Sequence, residues 1–325
     1  MDLTSLTNPL SNPLFLPVAM SAAGLLGLFL AYTLFVERKN LNRLMQTSLF
    51  PRWLSSAVLA PVVVLSVFSG TLPLAVMITV IALISVWEFG RMTSLSTTFL
   101  RAAYLFGAAV PLLTAFAPHL VPAVLMVSVL TMGCIAVFKY RTVAPVSSLQ
   151  SASAAPTTDA DAKVLQQAVL AFFAVAYAPL LGSFAVLLSK MTGGAGILLS
   201  LVAAVALSDT CAFLCGKAFG KRKMAPHVSP NKTWAGAAGN LLGAYLGFSI
   251  VLLAGPAMPL AVLLGLPALI AAASIMGDLF ESVIKRSVGV KDAGTWLPGF
   301  GGILDRIDSL LFVLPASYLV LSLAV

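Results

Sequence analysis

Apolar residues come in long blocks separated by short polar breaks. A helix needs roughly 20 apolar residues to span a bilayer, within a range of about 17 to 25. On that ruler ten stretches qualify: 14–36, 54–70, 72–90, 101–117, 120–138, 165–188, 196–215, 235–254, 257–277 and 303–324. Gly70-Thr71-Leu72-Pro73, Ala117-Pro118-His119 and Gly255-Pro256 read as tight turns between neighbouring stretches. The pattern predicts an all-α, polytopic integral membrane protein with about ten transmembrane helices.

Composition agrees. The chain has 325 residues, 60% hydrophobic and only 9% charged, with a mean hydropathy of +1.02. A soluble domain is about half apolar and about a quarter charged. The net charge of +8 would suggest nucleic acid in a soluble protein. In a membrane protein it reflects Lys and Arg retained on the cytoplasmic side, so no nucleic-acid partner is expected. With the N-terminus outside and the helices alternating, 18 of the 19 bases fall in inside loops and only Lys190 lies outside. Cys134, Cys211 and Cys215 all sit in apolar segments, so no disulfide framework is implied. The N-terminus lacks the basic region and cleavage site of a signal peptide, and the first segment is expected to be a retained helix.

The stretch around 143–164, rich in Ser, Ala, Thr and Pro, reads as a flexible cytoplasmic linker. It separates an N-terminal five-helix half, 1–142, from a C-terminal five-helix half, 165–325. No internal repeat is visible, which gives an inverted-repeat transporter no support. Trp87-Glu88-Phe89 ends one helix with a carboxylate, read first as a solvated acid in an interfacial aromatic belt. The alternative is that Glu88 reaches a polar cavity or a basic group between the helices.

Charge concentrates in two places. Gly277 to Asp308 holds five acids (Asp278, Glu281, Asp292, Asp305, Asp308) and four bases (Lys285, Arg286, Lys291, Arg306) between two apolar segments. Asp278 and Glu281 are spaced i,i+3 on one helical face, and Asp305 and Asp308 repeat the spacing. Two such pairs facing one cavity suit a hard divalent cation, which takes one or two carboxylates plus substrate phosphates. Leu297 to Gly302 forms a turn whose backbone amides could meet a ligand. The competing view is that Asp305 and Asp308 merely complement a helix dipole.

The second place begins at Asp209, an acid within apolar sequence and a functional-site candidate by default. Lys217, Lys221, Arg222, Lys223 and Lys232 follow, interleaved with Gly216, Gly220, Pro226 and Pro230. A basic, glycine-punctuated loop suits phosphate. Inside-positive topology alone explains the run at 221–223. It does not explain Ser229-Pro230-Asn231-Lys232-Thr233-Trp234, which leads directly into the next helix, and helix N-termini favour anions.

These two blocks resemble the signature of the phosphatidate cytidylyltransferase family, also called CDP-diacylglycerol synthase. The resemblance is carried by Gly277-Asp278-Leu279, Glu281-Ser282, Lys285-Arg286, Lys291-Asp292, Gly294, Leu297-Pro298-Gly299 and Gly301-Gly302-Ile303-Leu304-Asp305-Arg306-Ile307-Asp308. Upstream, Ser208-Asp209-Thr210, Gly216-Lys217, Phe219-Gly220-Lys221, Pro226, Ser229-Pro230 and Lys232-Thr233-Trp234 match as well. It is dense over 165–325 and thin before. It implies transfer of CMP from CTP to phosphatidate, giving CDP-diacylglycerol and pyrophosphate, with the site at the cytoplasmic face of a multi-pass protein; the compact loops favour a bacterial plasma membrane.

The resemblance also implies roles. Asp278, Asp305 and Asp308 would hold Mg2+ and act in catalysis with Asp209 and Lys232. Substrate contacts would come from Lys217, Lys221, Ser229, Thr233, Glu281, Ser282, Lys285, Arg286, Lys291, Asp292, Gly301, Gly302 and Arg306. A second, monovalent cation and a homodimer are compatible with it. The sequence departs from the family at Phe300, where His is usual, and at Cys211, where Gly is common. The first helix with its basic tail is an addition to the commoner core. Two other functions stay open, a related transferase acting on another lipid, such as a polyprenol kinase, and an ion-coupled transporter using Asp209 and the acid pairs.

Overall fold

A computed structural model describes residues 7–38, 49–143, 159–294 and 301–324. The helices are α1 (Phe15–Val36), α2 (Phe50–Phe68), α3 (Thr71–Met92), α4 (Thr97–Phe116), α5 (Val121–Val143) and α6 (Asp159–Val175). A π-helical turn, Ala176–Leu180, joins α6 to α7 (Leu181–Ser189). Then come α8 (Gly194–Phe219), α9 (Trp234–Phe248), the one-turn α10 (Val251–Ala254), α11 (Leu260–Ser287) and α12 (Leu304–Ala324). Among the described residues, nine helical spans are long and apolar enough to cross a membrane, with α6, the π-turn and α7 counted together. The chain is an all-α, multi-pass membrane protein. Its small exception is an antiparallel hairpin of β1 (Lys223–Ala225) and β2 (Ser229–Thr233).

Boundaries move where local chemistry overrides hydropathy. The stretch 235–254 is not one continuous helix. Instead α9 stops at Phe248 after 15 residues, and α10 follows beyond a short break. What α9 lacks in length it gains in closeness. A Cβ on Gly239, Gly243 or Gly247 would run into the α8 backbone at Cys211, Leu207 and Ala204. Glycines every fourth residue allow such backbone contact between membrane helices, where dispersion replaces the hydrophobic drive. Helix α11 continues ten residues past the apolar limit at Gly277, because Asp278 to Ser287 contains no Gly or Pro. It ends at Gly289 (φ +74°), with Val290 N–H donating to the Lys285 carbonyl (2.9 Å) and Gly289 N–H to that of Arg286 (3.1 Å). That is a Schellman stop, with Lys285 and Arg286 in the last turn on the favourable side of the dipole. Similarly α8 runs to Phe219, and α6 begins at Asp159, inside the stretch read as linker. The remainder of that linker, 144–158, lies outside the described residues.

The main buried apolar cluster draws Leu74 and Ile78 from α3, Leu188 from α7, Leu201 from α8, Phe248 from α9, Ile270 from α11 and Val313 from α12. A second cluster joins α3 to α6 through Val86, Phe99, Val110, Met132 and Val175. Lys190, the exception to the basic asymmetry, closes the C-terminus of α4. Its ammonium donates to the carbonyls of Thr114 (2.9 Å) and Ala115 (2.5 Å), two of the acceptors a helix end leaves unpaired. Partial burial lowers its pKa from the ordinary lysine value.

Candidate active site

A cavity of about 530 Å3 lies between α8, the hairpin, α9 and α11. Asp209 and Lys217 reach it from α8. Ser229, Asn231, Lys232 and Thr233 come from β2, Asn240 from α9, and Ser274 and Asp278 from α11. The hairpin is what brings the lysine in. Trp234 N–H donates to the Arg222 carbonyl (3.1 Å), and the Thr233 hydroxyl caps α9 by accepting from Gly236 N–H (3.1 Å). Lys232 is thereby fixed immediately before a helix start. Its ammonium pairs with Asp278 Oδ2 at 2.7 Å and lies 3.5 Å from the Ile275 carbonyl. Asp278 retains 39% side-chain exposure and Lys232 20%, so both remain open to a ligand. Asp209 lies within electrostatic reach of Asp278, Lys232 and Arg306.

Beside this cavity sits a second, closed set of charges. Lys285 bonds both Glu281 Oε2 and Asp305 Oδ1, the latter at 2.7 Å, with side-chain exposures of 13%, 0% and 7%. Asp305 also accepts from the backbone N–H groups of Ala293 (3.0 Å) and Gly302 (2.9 Å). Asp308, buried one turn later, accepts from Ser309 N–H (2.7 Å). The Ser309 hydroxyl donates to the Ser274 carbonyl (3.2 Å), which ties α12 to the wall of the cavity. Gly277 lets the two helices touch, since a Cβ there would collide with the Asp308 carbonyl.

Glu88 completes this set from the other half of the chain. It is fully buried, and its two carboxylate oxygens accept from Ile303 N–H (2.9 Å) and Leu304 N–H (2.8 Å). Those are free donors at the start of α12, and a carboxylate there also meets the positive end of the helix dipole. A Cβ on Gly294 or Gly302 would collide with the Glu88 carboxylate. The first reading of Glu88 as a solvated interfacial acid is therefore corrected. It is a long-range helix cap, 215 residues away in sequence from Ile303.

The predicted site residues thus divide. The cavity gathers Asp209, Lys217, Ser229, Lys232, Thr233 and Asp278, with the Thr233 hydroxyl already used as a cap. Ser282 stands beside it, its hydroxyl 3.4 Å from Asp278 Oδ1. Glu281, Lys285 and Asp305 belong to the closed set. Lys221, Arg286, Lys291, Asp292 and Arg306 are exposed and do not line the cavity. Gly301 (φ +89°) and Gly302 pack on Asp305, which takes the Gly302 amide. Leu297 to Phe300 lie outside the described residues.

Among the described residues, no three His, Cys, Asp or Glu side chains form a ready metal cluster. Of the three acids expected to hold metal, Asp278 opens to the cavity, whereas Lys285 and two backbone amides occupy the Asp305 carboxylate. Asp209 and Asp278, sharing the cavity, do fit the pattern of one or two carboxylates completed by substrate phosphates. Asn240 and Ser274 on the cavity wall were not singled out from sequence. Both look like ordinary small-residue helix positions until the fold turns them inward.

A sequence profile described as the cytidylyltransferase family matches residues 50–324. A phosphatidate cytidylyltransferase of Bacillus subtilis (strain 168) is 45% identical over 117 residues, 36% of this chain and 44% of that protein. One of Pseudomonas aeruginosa is 46% identical over 110 residues, covering 33% and 41% of the two chains. Another, of Staphylococcus aureus (strain COL), is 46% identical over 112 residues, covering 34% and 43%. The matched stretch spans less than half the length of each of these relatives.

Proposed function

The chain belongs to the cytidylyltransferase family, and on that premise we propose that it transfers the cytidylyl group of CTP to phosphatidate. A phosphate oxygen of the lipid attacks the α-phosphorus, the bond from that phosphorus to the bridging oxygen of the β-phosphate breaks, and pyrophosphate leaves with CDP-diacylglycerol formed. The observation that supports this most is the cavity in which Lys232, Lys217, Asp209 and Asp278 meet at the charged end of a membrane bundle.

The attacking phosphate is already ionised, so the reaction needs no strong general base. What it needs is the alignment of two polyanions and neutralisation of their charge. Lys232 is held in the cavity by the hairpin and Lys217 by α8, which gives the phosphates two cations on different elements. Asp209 and Asp278 would hold Mg2+, which when bound supplies further neutralisation of the phosphates. A volume of about 530 Å3 falls in the usual range of small-molecule sites, about 300 to 1,000 Å3. The basic asymmetry of the loops supports a cytoplasmic position for this end of the bundle, where the head group of a lipid in the inner leaflet of a bacterial plasma membrane would lie.

Purified protein given labelled CTP, phosphatidate and Mg2+ is expected to form a lipid-soluble cytidine product. EDTA should stop the reaction and added Mg2+ restore it. No product from folded protein would overturn the assignment.

A further inference from the structure

Asn240 and Ser274 face the same cavity, and neither has its polar side-chain atom fully used. Asn240 is 3% exposed and its Oδ1 has no hydrogen-bond partner. Ser274 is 1% exposed and its Oγ has none. Buried polar atoms of this kind cost stability unless something pairs with them. Both backbones are pinned. The Ser208 hydroxyl donates to the Asn240 carbonyl (3.0 Å), as Ser309 does to that of Ser274. Gly239, next to Asn240, is pressed on the α8 backbone. The two side chains are thus held on the wall by contacts that leave their polar ends unspent.

Both lie farther along their helices than Lys232 and Asp278 do. Asn240 lies six residues into α9, about 9 Å along the helix from Trp234, and Ser274 lies four residues, about 6 Å, before Asp278 on α11. The cavity therefore carries Lys232, Lys217 and Asp278 in its outer part, while Asn240 and Ser274 add neutral hydrogen-bonding groups deeper in, beside Asp209. Nearby Gly236 and Ala237 keep the α9 wall low.

We propose that Asn240 and Ser274 bind the nucleoside of the nucleotide, while Lys232 and Lys217 take its phosphates. The inference rests on the transfer reading above. The chemistry favours the nucleoside over the lipid. The unpaired Asn240 atom is an acceptor and needs a donor. Beyond its phosphate, phosphatidate offers only ester oxygens, which are acceptors. A cytidine carries an exocyclic amine and ribose hydroxyls, and its base carbonyl can accept from Ser274.

The test is equilibrium binding to the full-length protein in detergent, with CTP, inorganic tripolyphosphate and phosphatidate as separate probes. Asn240→Ala and Ser274→Ala should each weaken CTP about tenfold, the loss expected for one buried hydrogen bond. Tripolyphosphate, held by the lysines alone, should change by less than about twofold. Equal losses for CTP and tripolyphosphate, no loss for CTP, or a loss confined to phosphatidate would each overturn the proposal. If Asn240→Ala does not fold, Ser274→Ala carries the same readout. If the variants lose CTP binding selectively but wild-type protein makes no lipid product, the transfer reading alone is refuted. Normal product formation with unchanged CTP binding in both variants would refute the nucleoside site alone.

Discussion

Two charged regions lie side by side at one end of this bundle, and they are built in opposite ways. Around Lys232 the groups are partly exposed, with 39% of the Asp278 side chain still accessible. Around Lys285 everything is closed. Glu281, Asp305 and Glu88 are nearly or wholly inaccessible, and Asp305 and Glu88 are committed to a lysine or to backbone amides. Charge density alone does not mark the reacting groups. Residual exposure is what separates the two sets. The closed region has a different task. It holds the start of α12 and the end of α11 together, and with them the α11 wall of the cavity.

The sharpest way to break this contrast is to remove one acid from each side. Asp278→Asn is expected to lower turnover by about a thousandfold or more, the order that loss of an electrostatic group at a reacting centre produces, with little change in melting temperature. Asp305→Asn should chiefly destabilise. Taking one partner from a buried pair costs about 3 to 5 kcal/mol, so its activity should fall with the folded fraction measured by thermal unfolding. Loss of turnover in fully folded Asp305→Asn protein would move that carboxylate to the reacting side.

Glu88→Gln tests the bridge between the two halves of the chain. The amide can still accept one N–H but leaves the other buried donor unpaired, at a cost of about 1 to 3 kcal/mol. A lower denaturation midpoint with an unchanged KM for CTP is the expected result. An altered KM with unchanged stability would place Glu88 in contact with substrate. The smallest effect should come from Lys190→Met at the far end of α4, about 1 kcal/mol for the lost cap and no change in activity.

Much of this was legible in the sequence, and the limits have physical causes. Uninterrupted apolar blocks identified the membrane helices, because a bilayer imposes a length on them. The break after α9 was hidden, since hydropathy does not register glycines that trade length for contact with α8. The spacing of Asp278 with Glu281 and of Asp305 with Asp308 correctly placed each pair on one helix. It could not say which neighbour each acid would meet. Asp278 turned to Lys232 across the cavity, and Asp305 to Lys285 and two amides. Glu88 could not be assigned from its surroundings because its partners lie 215 and 216 residues downstream. Asn240 gave no signal at all within its run of small residues.

The central claim is that chemistry occurs in the cavity between α8, the hairpin, α9 and α11. Its most direct test is the initial rate of label transfer from CTP to phosphatidate in Asp278→Asn and wild-type protein matched for folded fraction. Wild type should form the labelled lipid and the variant should form none above background. A variant that transfers label at the wild-type rate would contradict the account.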